Sequence, residues 1–363
     1  MVSKSPESYL AEVFGFPADV RDPDVELFRS LRLCPFRPLS PDARRDLSTS
    51  HATFPFPKQF ARCTKDSRTD PLGVCSVYAG GKPAITCPVR FAEGGVMLGA
   101  TAAWAASVLG VPAAELQPVP EVRLIPAGAS TEATVGLLTE GHDPAAETND
   151  RATPEVREMS AGNIDYVLAS IDVAQPGSNV ITDYAVNAYA ALEVQAVYIS
   201  GNVGNPFQAY MGGAAWDGTN PPRPDWLSSS RKRLVPQLAW KGSVLHAWGK
   251  PIAVCVQEAF WKTMPYLSAV TTSVDTSQEI AWVIIDLKRM GRIFQLVHVT
   301  TVYSEFATAL TAATQTPAGS DRLVRQAILG KFIKDATGKP PKAPRKTGTR
   351  RASRPGKADL PEE

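Results

Sequence analysis

This 363-residue chain has no excess of charge: 38 Lys and Arg stand against 36 Asp and Glu, a net of +2. No global field therefore demands a polyanionic partner. Histidine is scarce, with four in all and no two at metal-ligand spacing, which argues against a zinc site built on histidine pairs. Gly80-Gly81-Lys82 lacks the rest of a phosphate-binding loop, so no nucleotide cofactor is expected. No internal repeat is visible. The opening Met1-Val2-Ser3-Lys4-Ser5-Pro6-Glu7-Ser8 is polar and no apolar signal region follows. That speaks against export and predicts a cytoplasmic protein. One uncharged run, residues 94–114, is built from Ala, Gly, Thr and Ser. Such a composition inserts poorly into lipid, and the reading is a buried or half-buried helix over Val96–Leu109, with no membrane partner.

What the chain does have is a cluster of cysteines. Four of its five fall in one window: Cys34, Cys63, Cys75 and Cys87, with 28, 11 and 11 residues between them. Each sits in turn-rich sequence: Cys34-Pro35-Phe36, Gly73-Val74-Cys75, Cys87-Pro88. Four thiolates close together suit one tetrahedral ion, zinc by default and iron as the alternative. Two disulfides are the competing reading, which the polar N-terminus disfavours. Cys255, in Ile252-Ala253-Val254-Cys255-Val256, reads as a buried core thiol.

The composition is that of a soluble globular protein, 44% hydrophobic and 20% charged, large enough for one big domain or two smaller ones. Residues 9–14 and 25–28 read as short helical turns. Residues 116–140 suit short strands or loops, and residues 141–157 a polar surface loop. Residues 164–173 and 189–199 read as strands, the second more buried, with a break at 175–179. Residues 225–250 read as a helix, with Ser228, Ser229 and Ser230 as caps and Pro236 near its regular start. Residues 280–287 and 293–299 read as strands around a turn at 288–292. Helices follow at 303–312 and 321–333.

One constellation carries chemistry. On an extended strand, residues two apart share a face, so Glu193 and Gln195 of Glu193-Val194-Gln195 project together. Their neighbours Leu192, Val194, Ala196 and Val197 are apolar. A carboxylate and an amide in such a strand need a metal or hydrogen-bond partners. Asp165, on the preceding strand candidate, can join them. Two carboxylates suit Mg²⁺, which promotes ionisation of water and neutralises phosphodiester charge. A satisfied polar pair at a strand end is the alternative reading of the same residues.

These residues together resemble the NotI-like family of type II restriction endonucleases. The opening Tyr9-Leu10-Ala11-Glu12-Val13-Phe14-Gly15 resembles the family's start, and the four cysteines match its cysteine order. Asp165 in Ile164-Asp165-Tyr166-Val167-Leu168 matches its first metal-binding acid, and Glu193-Val194-Gln195 its Glu-x-Gln, where Gln replaces the usual Lys. Residues 227–233 through Phe260-Trp261-Lys262 resemble a later helical segment. The resemblance runs in one order across residues 8–310. It implies an α/β (mixed α+β) PD-(D/E)xK nuclease core, a mixed sheet flanked by helices, with an embedded four-cysteine metal site. The implied organisation is an N-terminal helical segment (1–30), a cysteine module (31–90), a nuclease core with DNA-binding and dimerisation elements (91–335) and a disordered basic tail (336–363). Glu158 is the candidate for a further catalytic acid, with Glu155 as its alternative; Asp172 and Asp183 compete for the metal. The long gap between Asp165 and Glu193 implies an extended hairpin loop around residues 174–184.

Gln195 brings no charge, but its amide both donates to and accepts from an attacking water. Lys241 and Lys250 are candidates to supply charge from another segment. Arg231, Lys232, Arg233, Lys241, His246 and Lys250 lie along one helix. Arg and Lys there read guanine edges or grip phosphates; a solvated face is the alternative. Trp226, Trp240, Trp248 and Trp261 read as core or dimer interface, and His246 as a structural polar residue. The tail over residues 337–357 carries eight Lys and Arg and no acid, an arm for polyanions or simply solvated. The leading expectation is a homodimeric Mg²⁺-dependent endonuclease that cuts both strands of double-stranded DNA at a short palindrome, which the resemblance implies to be GC-rich. A non-catalytic metal-stapled DNA-binding protein and a nicking or repair nuclease are the alternatives.

Overall fold

The computed structural model describes residues 5–39, 60–64, 72–124, 162–173, 184–264, 279–314 and 320–337. Residues 1–315 form one unit and residues 316–363 a second. The fold is mixed α+β.

The chain enters through β1 (Leu10–Val13) and β2 (Phe16–Pro17). Phe14 and Gly15 join them with φ of 49° and 79°, the left-handed pair that a two-residue hairpin requires. Glycine is needed at 15 for space as well, since a Cβ there would stand 2.2 Å from Pro35 Cγ. Next come α1 (Pro23–Ser30), which covers the turn expected at 25–28, and β3 (Leu33–Pro38), paired with β4 (Phe60–Arg62). Then β5 (Val74–Ala79) and β6 (Lys82–Ile85) complete a four-stranded sheet of order β2-β1-β5-β6. Residues 9–14 are thus mostly strand, not helix. All four β1 residues are buried and β1 pairs antiparallel with β5, a long-range partnership that a short apolar run does not announce.

A 3₁₀ segment, Pro88–Gly95, leads into α2 (Val96–Leu109), which ends at Gly110 with φ 68°, the left-handed stop usual at a helix C-terminus. The span Pro88–Leu109 has the length and hydropathy to cross a membrane. Here α2 lays Met97, Thr101, Trp104 and Ala105 onto the large sheet.

That sheet holds β7 (Leu116–Arg123), β8 (Asn163–Val173), β9 (Tyr184–Gln195), β12 (Ile252–Gln257), β13 (Ile280–Met290) and β14 (Ile293–Ser304). Its order is β14-β13-β12-β9-β8-β7. β12 runs parallel to both β9 and β13, and the other pairings are antiparallel. Between β9 and β12 the chain forms β10 (Ile199–Ser200), α3 (Gly204–Gly212), β11 (Arg223–Pro224) and α4 (Arg231–Ala247). α5 (Glu258–Trp261) follows β12, and α6 (Phe306–Thr314) closes the unit.

The alternation of side chains on β12 and β13 builds two cores. Ile252, Val254, Val256, Ile280, Trp282 and Ile284 face one way, with Leu234, Leu238 and Leu245 of α4 and Phe306 of α6. Ala253, Cys255, Ala281, Val283 and Ile285 face the other way, with α2. A strand buried on both faces reads as one continuous apolar run, and Cys255 is a fully buried member of it. The large sheet is the layer that positions the site, and α4 is its lid.

Several boundaries move. β9 runs from 184 to 195, where residues 189–199 read as the strand. β14 extends to Ser304, so α6 begins at Phe306. α4 begins at Arg231 and passes through Pro236. The helix entry is capped by Asp225, which accepts from Ser228 N (3.0 Å) and Ser229 Oγ (2.7 Å), in place of a serine cap. In the second unit, α7 (Asp321–Thr337) exposes Leu323, Val324, Ile328, Leu329 and Phe332. Residues 141–157 and the tail from 338 onward lie outside the described residues.

Candidate active site and cysteine cluster

The long hairpin of β8 and β9 sets the first two acids. Tyr166 pairs with Leu192, so the next antiparallel step brings Asp165 beside Glu193. Asp165 Oδ2 accepts from Val194 N at 2.7 Å. The residues between the strands, 174–183, lie outside the described residues, as do Glu155, Glu158 and Asp183. Asp172 sits at the far end of the hairpin, where β8 and β9 adjoin residues 174–183, and is bonded to Asn187 Nδ2 at 2.5 Å. It stands seven positions along β8 from Asp165 and does not join it.

On β9, Glu193 and Gln195 pair with Val254 and Val256 of β12, whose side chains belong to the core under α4. Glu193 is 3% exposed and Gln195 5%. Burial pushes the Glu193 carboxyl up to about 7, Asp165 adds to the rise and Lys241 opposes it. Burial also raises Asp165, against the Val194 N–H and the Lys241 charge. Gln195 Nε2 donates to Ala196 O at 2.5 Å.

Lys241 completes the group. Its Nζ lies 2.9 Å from Glu193 Oε1, 2.8 Å from Glu193 Oε2 and 2.5 Å from Asn163 O. It is 7% exposed. The basic residues of α4 therefore do not form one open face. Lys241 points into the sheet because it follows Leu234 and Leu238 and precedes Leu245 on the buried stripe. This spacing was the sequence signal that set Lys241 apart from its basic neighbours.

The other basic residues point elsewhere. Lys232 and Arg233 are exposed, and Arg233 stacks over Tyr198 at 3.8 Å. Arg231 is half-buried, and its Nε has no hydrogen-bond partner among the described residues. Lys250, beyond the helix end, lies 4.8 Å from the Tyr189 ring. His246 Nδ1 meets Glu279 at 2.7 Å and its ring stacks on Phe306. Trp226 stacks on Phe260 and Trp261 packs against Trp282, whereas Trp240 and Trp248 are exposed.

The cysteines come from four strand ends. Cys34 is on β3, Cys63 follows β4, Cys75 is on β5 and Cys87 follows β6. All are buried, and the five cysteines of the chain form no disulfide. Burial pushes the Cys34 thiol up to about 12, and Cys87 and Cys63 add to the rise. Cys75 is raised well above the ordinary range by burial, then by Cys87, Glu12, Cys34 and Cys63. The four sulfurs thus sense one another. Among the described residues, however, no group of three or more His, Cys, Asp or Glu is arranged to hold an ion. The donor chemistry suits a thiophilic ion at the cysteines and a hard ion at Asp165 and Glu193.

The cluster is tied to the large sheet. Ile85 N donates to Gln257 Oε1 (2.9 Å), and Gln257 Nε2 donates to Pro83 O (2.7 Å) and Asp286 Oδ1 (2.8 Å). Arg90, fully buried, binds Glu12 through Nε at 3.1 Å, Glu93 at 2.6 Å and Phe294 O at 2.8 Å.

Residues 132–296 match the model of the family described as Restriction endonuclease NotI. That stretch contains Asp165, Glu193, Gln195 and Lys241; the four cysteines precede it. No curated protein matches the chain. The family match supports a type II restriction endonuclease, an enzyme that acts on DNA.

Proposed function

We propose that this protein is a Mg²⁺-dependent type II restriction endonuclease of PD-(D/E)xK type, cutting both strands of a short, GC-rich palindrome as a homodimer. The observation that carries the reading is the half-buried Asp165 beside the buried Glu193, side by side on the matched stretch with Gln195 on the same strand face. Two carboxylates in an apolar sheet are costly unless they serve a cation.

Asp165 and Glu193 would hold the ion, with Glu158 as the proposed further acid. Mg²⁺ held there would neutralise charge on the phosphodiester and favour ionisation of the attacking water. The Asp165 carboxylate is fixed by the Val194 N–H, which leaves its other oxygen for the ion. Glu193, buried by β12 and α4, is kept from reorienting. Gln195 orients a water by donating to and accepting from it.

Arg231, Lys232, Arg233 and Lys250 are proposed to reach DNA, the exposed ones gripping phosphate or guanine edges. Lys241 is not proposed as a groove contact, because its ammonium is buried against Glu193. Cys34, Cys63, Cys75 and Cys87 are proposed to bind one structural iron or zinc ion. Four thiolates leave no open position for chemistry. Their own charges must be compensated by the ion, since burial disfavours the Cys34 and Cys75 thiolates.

The test is incubation of supercoiled plasmid and bacterial genomic DNA with the protein in Mg²⁺ and in EDTA. Discrete double-strand cuts in Mg²⁺ alone are expected, and sequencing the ends gives the site. Nicks without linear product point to a nicking nuclease. Binding without cleavage points to a metal-stapled DNA-binding protein; either outcome overturns the reading.

A further inference from the structure

Lys241 puts a charge at a position where the spacing of α4 asks for an aliphatic side chain. Leu234, Leu238 and Leu245 fill the other places of that stripe. An ammonium has three protons, and each is engaged: two on the oxygens of Glu193, one on the Asn163 carbonyl. Gly242 beside Lys241 lies against Phe306, where a Cβ would approach within 2.6 Å, and Gly162 leaves room at the stem, since a Cβ there would touch Lys241 Cε at 3.5 Å. The charges at the site are the Asp165 and Glu193 carboxylates and the Lys241 ammonium, with the Glu121 carboxylate of β7 near enough to act on Asp165; the Gln195 amide adds none. Any cation that binds Glu193 must share an oxygen with Lys241 or displace it from one.

We propose that Lys241 holds the place of the cation on Glu193 and, once an ion takes one of those oxygens, turns the freed N–H to the phosphodiester, supplying the charge that Gln195 lacks. This inference rests on the nuclease reading above. The Asn163 carbonyl keeps the ammonium in the site throughout, so the charge is rotated rather than imported. A fixed cation in a site this dry acts more strongly on a developing phosphoryl charge than it would in water. The bland alternative makes Lys241 a counter-ion that the buried Glu193 needs for folding. The two differ in sign. A place-holder competes with a metal ion, so removing it tightens metal binding while slowing cleavage. A counter-ion that merely holds Glu193 in position does not compete, so removing it leaves metal binding unchanged or weaker.

The experiment uses the full chain as wild type, Lys241→Gln, Lys241→Arg and the exchange Lys241→Gln with Gln195→Lys. Mn²⁺ binding without DNA is measured by calorimetry in alkaline buffer, beside thermal melting and single-turnover cutting of a plasmid that the wild type cuts. Lys241→Gln is expected to bind Mn²⁺ about 3- to 10-fold more tightly and to cut about 100-fold more slowly or worse. Lys241→Arg is expected to melt close to wild type. The exchange variant is expected to regain at least about 10-fold of the lost rate. Folded Lys241→Gln with unchanged or weaker Mn²⁺ binding, or with cutting near the wild-type rate, reduces Lys241 to a counter-ion. Should that variant fail to fold, the exchange variant decides, since cutting by it supports the proposal and a folded, inactive exchange overturns it. Wild type that cuts no DNA sinks the nuclease reading alone, and the Mn²⁺ comparison still stands.

Discussion

The backbone N–H of Val197 donates to the carbonyl of Ile85 at 2.8 Å. Val197 stands two residues beyond Gln195, and Ile85 two residues before Cys87. A single hydrogen bond thus joins the strand end that carries the site to the strand end that carries a cysteine, and Gln257 fixes the same Ile85 from the other side.

If an ion fastens the cysteines, its loss is felt at Gln195. Elemental analysis of the purified protein should find about one tightly held iron or zinc per chain. Cys75→Ala and Cys87→Ala should lose the ion, melt earlier and cut more slowly. Full activity in metal-free protein would remove the assignment.

Asp165→Ala and Glu193→Ala should lose cleavage yet keep specific DNA binding in Ca²⁺, because the carboxylates serve the chemistry and not the grooves. Glu193→Ala should also destabilise the fold, since it leaves Lys241 buried without the carboxylate it is hydrogen-bonded to; breaking a buried pair costs about 3–5 kcal/mol. Cutting at the wild-type rate by either variant refutes the site.

Arg231, Lys232, Arg233 and Lys250 separate by duplex competition. An alanine that removes a guanine contact should cost about 1–3 kcal/mol on the cognate duplex only. Loss of a phosphate contact should weaken all duplexes alike and flatten the salt dependence. No change for any of the four, measured at two salt concentrations, would make this face merely solvated.

Arg90→Met should destabilise by about 3–5 kcal/mol in urea denaturation, because it strands Glu12, which is fully buried. The double change with Glu12→Leu should recover much of that loss. Equal losses in the single and double variants would show that the pair is not coupled.

Much of the architecture was legible locally. The helix Val96–Leu109 matches its reading residue for residue, β8 starts one residue before its pattern and ends with it at Val173, and β13 starts with its pattern at Ile280. What was not legible depended on partners far along the chain. Residues 10–13 are strand because they pair with β5, where Val13 meets Val74 and Leu10 meets Val77. The run 252–257 was read only as the surroundings of a buried thiol, yet it is the central parallel strand. For the site, Asp165, Glu193 and Gln195 were visible as types and spacing. From charge alone Lys241 reads both as one of a basic, DNA-facing set and as a candidate to supply charge beside Gln195, and only helical phase decides between the two. Its place four, three and four residues among Leu234, Leu238 and Leu245 was the better guide.

The parallel seating of β12 between β9 and β13 also bears on how the molecule comes into being. Asp165 and Glu193 meet through a hairpin, a short-range event. β12 closes against residues 191–195 only after about sixty more residues have been made, and β13 later still. Non-local parallel pairings form slowly because loop-closure entropy opposes them before contacts compensate. During synthesis the two acids therefore stand together on an open edge, before β12 and β13 complete the core on which the helix that brings the ammonium packs. A ribosome-stalled chain ending near residue 250 should expose that edge to chaperones, whereas one that extends past β13 should not.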